Sequence, residues 1–207
     1  MNPIHIVILA AGKGTRMRSA IPKVLHRVSG VALIDRVLQT ASRLQPETTT
    51  VVVGHEADTV RRHLGEKPQL YTVIQEPQLG TGHALLQAES VLGDRTGTVV
   101  LLSGDVPLLT PATLEALVET HDKAEAAATV VTATVPRPFG YGRIIRSSGQ
   151  IARIVEERDA SPADREIREI NSGIYAFDLA PLFDALRGIG DANAQGEYYL
   201  PDLVSIY

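Results

Sequence analysis

With 207 residues, 44% of them hydrophobic, the chain has the size of one ordinary α/β domain with a substantial core. Its net charge of −4 and its lack of cysteine exclude a global basic field for nucleic acid or membrane, disulfides, thiolate metal sites and cysteine nucleophiles. No apolar run approaches a membrane span, no basic-then-apolar leader follows Met1, and no repeat is visible, so a cytoplasmic protein is expected.

Ile4 to Leu9 is a continuous apolar run, the pattern of a central parallel strand buried on both faces. It leads into Leu9-Ala10-Ala11-Gly12-Lys13-Gly14-Thr15-Arg16-Met17, closed by Pro22-Lys23. Two glycines let the backbone turn tightly and bring its N–H groups close to an anion. Lys13, Arg16, Arg18 and Lys23 follow one another with no acid before Asp35, which is what a triphosphate loop needs. A Walker loop is excluded because no Gly-Lys-Ser/Thr follows at the required spacing. A dinucleotide fingerprint is excluded because Met17 stands where its third glycine belongs.

Apolar residues at helical spacing predict a helix from Val31 to Leu44. Thr49 to Val53 is expected as a strand, Glu56 to Leu64 as a short helix and Leu70 to Ile74 as a third strand. A polar loop, Gln75 to His83, precedes a helix predicted from Ala84 to Leu92. Thr98 to Leu102 is a fourth strand, running into Ser103-Gly104-Asp105-Val106-Pro107. Thr110 and Pro111 mark a helix start, and that helix is expected to reach about His121.

This alternation implies parallel βαβ units in a doubly wound, mostly parallel sheet. The loops at 10–23, 75–83 and 103–107 then converge on one crevice beyond the strand ends. The later half differs: Ala127 to Val135 is strand-like, and Arg143 to Arg146 and Ile151 to Val155 flank a hairpin signal, Ser147-Ser148-Gly149-Gln150. Asp159 to Arg168 is charged and helical in propensity, Gly173 to Phe177 is another strand, and Leu179 to Arg187 a short helix. A small antiparallel subregion over 136–175 is expected within one domain.

Asp105, a carboxylate at the tip of a buried strand, is placed to hold Mg²⁺ together with water and substrate phosphate oxygens. Gln75, Gln78, Gly80 and Thr81 supply amide, hydroxyl and close backbone approach, which suit a planar, neutral pyrimidine. Phosphoryl transfer needs placement and charge neutralisation more than an activated side chain, and no Ser-His-Asp set is apparent. His55 and His63 are too loosely placed for zinc; His83 stands out among the histidines because it lies in the second loop.

The run Leu-x-x-Gly-x-Gly-Thr-Arg-Met followed by Pro-Lys resembles the signature of sugar-nucleotide pyrophosphorylases. Continued through Lys23-Val24-Leu25-His26, it is similar to the bacterial N-acetylglucosamine-1-phosphate uridylyltransferase family, usually the N-terminal half of a bifunctional chain. The resemblance runs from Ile6 to Asp202 and implies a Rossmann-like nucleotidyltransferase fold. It implies formation of UDP-N-acetylglucosamine and pyrophosphate from UTP and N-acetylglucosamine 1-phosphate, for cell-wall precursors. By the same resemblance Leu9, Ala10, Ala11, Gly12 and Gly14 hold the nucleotide, with Arg16 and Lys23 on the reacting phosphates. Gln75, Gly80 and Thr81 read uracil, Gln78 belongs to the same nucleotide-binding loop, and Asp105 carries the magnesium. Ser103, Gly104, Gly142, Glu156 and Asn171 match the sugar pocket, although Ser103 stands where the family often has Tyr.

The family continues beyond the position of Tyr207 into a second metal ligand, an Asn, and a β-helix acetyltransferase domain through which it trimerises. The expectation is therefore a C-terminally incomplete nucleotidyltransferase domain over 1–207, monomeric or weakly associated. A pyrophosphorylase for another sugar 1-phosphate, and a UTP-binding module with little turnover, stay open as alternatives.

Overall fold

The computed structural model describes residues 2–14 and 17–207. The first apolar run forms β1 (Ile4–Ala10), and a short hairpin follows, β2 (Arg27–Val28) and β3 (Val31–Ala32). Then come α1 (Leu33–Ala41), β4 (Thr48–Val53), α2 (Ala57–Leu64), β5 (Leu70–Ile74), α3 (Thr81–Leu86), α4 (Glu89–Leu92) and β6 (Thr98–Ser103). β1 pairs in parallel with β4 on one side and β6 on the other, and β5 extends the sheet beyond β4. The direction of winding therefore reverses at β1. The loops leaving β1 and β6 part from each other and open a crevice at the strand carboxyl ends.

Both faces of the central strands of this block are covered, which is why β1 and β6 are apolar at most positions. Val7, Val52, Val99 and Leu101 face one layer, with Leu85 of α3 and Leu92 of α4. Ile6, Ile8, Val51, Val53, Val100 and Leu102 face the other, with Ile34 and Val37 of α1 and Val60 and Leu64 of α2. Each such side chain contributes about 1.5–3 kcal/mol through burial. His5, buried in β1, is held between Thr48 Oγ1 at 2.9 Å and the Thr96 carbonyl at 3.1 Å, and burial lowers its pKa.

Next in order are α5 (Pro111–Ala124), β7 (Ala128–Thr134), β8 (Arg143–Ser147), β9 (Gln150–Val155), α6 (Pro162–Arg165), β10 (Glu169–Asp178) and α7 (Leu179–Arg187). A 3-10 helix, Leu200–Ser205, follows. Thr110 caps α5 as its sequence predicts, accepting from the Thr113 N–H at 3.2 Å, with Pro111 in the first turn. α5 covers the α1 face of the sheet, and α7 covers the α3 face. β10 runs antiparallel to β6 and to β7, and also pairs with β8, so the antiparallel strands continue the main sheet in the order β5-β4-β1-β6-β10-β8-β9.

Four expected elements change. The helix predicted from Val31 begins at Leu33 because Ser29 and Gly30, both at positive φ, close a tight turn that puts Val31–Ala32 into a strand pair. It ends at Ala41, and Ser42–Leu44 tightens into a 3-10 turn. The helix predicted from Ala84 starts at Thr81 and is interrupted before Glu89. Of the charged stretch 159–168 only Pro162–Arg165 is helical, fixed by a Ser161/Asp164 capping box. β10 is longer than Gly173 to Phe177, with a register shift between Asn171 and Tyr175. Among the described residues no helix is long and apolar enough to cross a membrane.

Candidate functional site

An open cleft of about 1260 Å³ lies beyond the ends of β1, β4, β5 and β6. The glycine-rich turn forms one wall through Leu9, Ala10, Ala11, Gly12, Lys13 and Gly14. Gly14 has φ 58°, and a Cβ there would stand 2.9 Å from Lys23 Cβ, so only glycine lets the turn fold back over Lys23. The Lys23 ammonium is ion-paired with the Asp105 carboxylate across the cleft. The glycine-rich turn and the loop after β6 thus bring a lysine and the acidic strand tip side by side. Arg16 lies outside the described residues.

The opposite wall is the loop after β5, with Gln75, Gln78, Gly80 and Thr81. Gly80 has φ 107°, and a Cβ there would lie 2.7 Å from the Tyr198 carbonyl oxygen. The loop packs this closely because the C-terminal segment is bonded to it: the Tyr198 N–H donates to Leu79 O at 2.8 Å and the Gly82 N–H to Tyr198 O at 2.8 Å. Thr81 Oγ1 accepts from the Leu200 N–H at 3.1 Å, so the oxygen of this hydroxyl already serves the protein. Gln75 is buried, and its Nε2 donates to Gly80 O at 2.9 Å.

Ser103 lines the cleft beside Asp105, whereas Gly104 sits behind it, its N–H bonded to Leu9 O at 2.9 Å. Gly142, Glu156 and Asn171 form a second cluster and are not among the residues lining the cleft. A Cβ on Gly142 would lie 3.2 Å from Glu156 Oε1 and 3.5 Å from Asn171 Cβ. Asn171 Oδ1 accepts from the Gly173 N–H and from the Tyr175 hydroxyl, each at 2.9 Å, which leaves the amide NH₂ as a donor. Burial raises the pKa of Glu156, and Asp159, Asp202 and Glu197 add to the shift. The cluster therefore offers a fixed donor beside an acidic acceptor, a pairing suited to hydroxyl groups.

The cluster is held from below by Arg143, 2% exposed. Its guanidinium donates to Glu157 Oε2 at 2.8 Å and to the Tyr141 carbonyl, and Glu157 Oε2 also takes the Gly140 N–H at 3.1 Å. Sequence reasoning did not single out this arginine, since burial of a long cation leaves no local signal. It also passed over Gly54, Glu56 and Glu197 in the cleft wall, and weighed His55 only as a zinc ligand. For Gly54 a signal existed: it ends an apolar strand as Gly12 nearly does, and a Cβ there would stand 2.7 Å from Gln78 Nε2. His121 is a core histidine, 3.0 Å from Thr129 Oγ1, and His63 pairs with Asp35 at 3.0 Å.

As a metal site, the cleft offers the Asp105 carboxylate beside Lys23, with Glu56, Glu76 and Glu197 also on its lining, around a space large enough for a nucleotide. That donor set fits Mg²⁺, which keeps waters and takes substrate phosphate oxygens. No group of three or more His, Asp or Glu side chains suited to a metal occurs among the described residues.

Comparison with known proteins gives a match to the MobA-like NTP transferase domain over residues 6–170. The chain is 49% identical over 204 residues to the bifunctional protein GlmU of Streptococcus equi subsp. zooepidemicus, covering 98% of this chain and 44% of that protein. It is 52% identical over 207 residues to its counterpart in Brevibacillus brevis, covering 100% and 44%. The chain thus spans less than half the length of these relatives. Among solved structures, UDP-glucose pyrophosphorylase complexed with UDP-glucose superposes with a TM-score of 0.79 at 20% identity, covering 99% of this chain and 86% of that one. The apo form of UDP-glucose pyrophosphorylase gives 0.77 at 18% identity. At that identity the likeness is one of fold.

Proposed function

Because the chain belongs to the MobA-like NTP transferase family, we propose that it transfers a uridylyl group from UTP to N-acetylglucosamine 1-phosphate, releasing pyrophosphate. The observation that carries the reading is the Lys23–Asp105 pair at the winding reversal of the sheet, flanked by the glycine-rich turn and by Gln75. Identity near 50% with GlmU proteins over the whole chain supports the sugar nucleotide, UDP-N-acetylglucosamine.

The nucleotide's phosphates lie along the turn 10–14, with the base against Gln75, Gly80 and Thr81. An oxygen of the sugar phosphate attacks the α-phosphorus, and the bond from that phosphorus to the β-phosphate bridging oxygen breaks as pyrophosphate leaves. The attacking oxygen is already an anion, so no proton has to move and no general base is required. Lys23 is freed from Asp105 to face the phosphates, and with Arg16 it balances the charge that builds on them. Asp105 would hold Mg²⁺, which supplies further charge neutralisation on the phosphoryl oxygens. Glu156 and the Asn171 amide hold the sugar hydroxyls and N-acetyl group, while Gly142 gives the ring close access.

The test is pyrophosphate release from UTP, N-acetylglucosamine 1-phosphate and Mg²⁺, with glucose 1-phosphate and CTP as controls. The expected result is release with the first pair and its fall by about a hundredfold or more in Asp105→Ala, the scale of losing one preorganised charge contact. Equal release from glucose 1-phosphate would assign another sugar. UTP binding without release would reduce the chain to a nucleotide-binding module.

A further inference from the structure

Gln75 is 4% exposed and lines the cleft. Its Nε2 is 2.9 Å from the Gly80 carbonyl oxygen and 3.2 Å from His83 Nδ1. The carbonyl decides the orientation of the amide, since the alternative would set two oxygens against each other. With the nitrogen so placed, His83 Nδ1 can only accept, and the ring proton sits on Nε2. Both hydrogens of the amide are then bonded within the protein. What Gln75 can offer a ligand is its Oε1, an acceptor.

We propose that His83 is a positioning residue for base selectivity. By taking the second amide hydrogen of Gln75, it makes that side chain a pure acceptor towards the base. A base with an N–H at the facing position, as uracil has at N3, donates to it. Cytosine carries a lone pair at N3 and is repelled. The inference rests on the uridylyl reading and deepens it, because it assigns the choice between uracil and cytosine to a residue that itself need not touch the base. His83 is half-buried, with its ring centroid 6.4 Å from that of Tyr198, so its own orientation is constrained by the C-terminal segment.

The experiment is calorimetric titration of the chain with UTP and with CTP, which reads selectivity without requiring turnover. His83→Leu removes the acceptor and leaves a buried N–H of Gln75 free to reorient or to pair with cytosine. The preference for UTP over CTP should fall by about tenfold. His83→Asn, whose side-chain oxygen can accept in place of Nδ1, should keep the preference of the parent. Should His83→Leu not fold, His83→Phe is read in its place, since it keeps a ring against Tyr198 and lacks the acceptor. A parent that favours UTP with an unchanged ratio in the acceptor-less variant overturns the role of His83 alone. A parent that does not favour UTP overturns the uridylyl reading, and this inference with it.

Discussion

The parallel strands β5-β4-β1-β6 and the antiparallel strands β10-β8-β9 share one sheet but differ in how far apolar burial reaches across them. In β1 and β6 Ile6, Val7, Ile8, Val99, Val100 and Leu101 have no exposure at all, and the two faces are closed by helices. In β9 only Ile154 is buried. β10 and β8 still reach the core through Ile144, Ile174, Tyr175, Ala176 and Phe177, and the outer edge adds ion pairs: Arg143–Glu157 at 2.8 Å, Arg146–Glu169 at 2.7 Å and Arg153–Asp164 at 3.3 Å. Most of these are exposed and contribute little to stability. They fix shape instead, and the shape is that of the cluster around Gly142 and Glu156. The parallel side is an apolar scaffold that aims loops, and the antiparallel side, where we propose the sugar binds, ends in a polar frame.

Breaking that frame at its one buried cation gives the largest effect. Arg143→Met strands the partly buried Glu157 and releases the Gly140–Tyr141 turn. It should cost about 2–4 kcal/mol in urea unfolding, somewhat less than a fully buried pair because Glu157 keeps some solvent. The KM for the sugar phosphate should rise while UTP affinity holds; an equal loss of UTP affinity would show that the two sides are not independent. On the nucleotide side Gly80→Ala meets both a glycine-only φ and the Tyr198 carbonyl, and should cost about 1–3 kcal/mol. Its functional signature is the reverse, weaker UTP binding in titration with sugar-side behaviour intact.

The smallest effect concerns Glu156. Burial holds its pKa above the ordinary carboxylate value, with Asp159, Asp202 and Glu197 adding to this. The folded chain keeps this proton where the unfolded chain has lost it, so the unfolded state binds fewer protons. The stability it contributes is present below the unfolded value near 4.5 and is lost as pH rises through the folded one. Glu156→Gln should therefore match the parent in urea at about pH 4 and exceed it at about pH 8, while binding sugar phosphate less well. An equal difference at both pH values would contradict the assigned burial of charge.

The same contrast explains what could be read from sequence. β1 and β6 are nearly continuous apolar runs because both faces are covered, and β4 and β5 carry shorter β-branched runs. Thr110-Pro111 and the Ser148-Gly149 turn were equally legible, since caps and tight turns are written in adjacent residues. The cleft residues 9–14, 75–81 and 103–105 follow from their place at strand ends. Val31 misled because its apolar spacing continues the pattern of α1, whereas the turn at Ser29-Gly30 claims it for a strand pair. Arg143, and the bonding of Tyr198 to the loop after β5, depend on partners distant in sequence, which spacing alone does not reveal.

That last bonding sets an order of assembly. Thr81 receives its backbone partner from Leu200, 119 positions further along the chain, and Gly82 receives its own from Tyr198. The chain that has made the glycine-rich turn and Gln75 therefore still has one cleft wall unfinished. That wall is completed only by residues near position 200, so the cleft takes its final shape late along the chain.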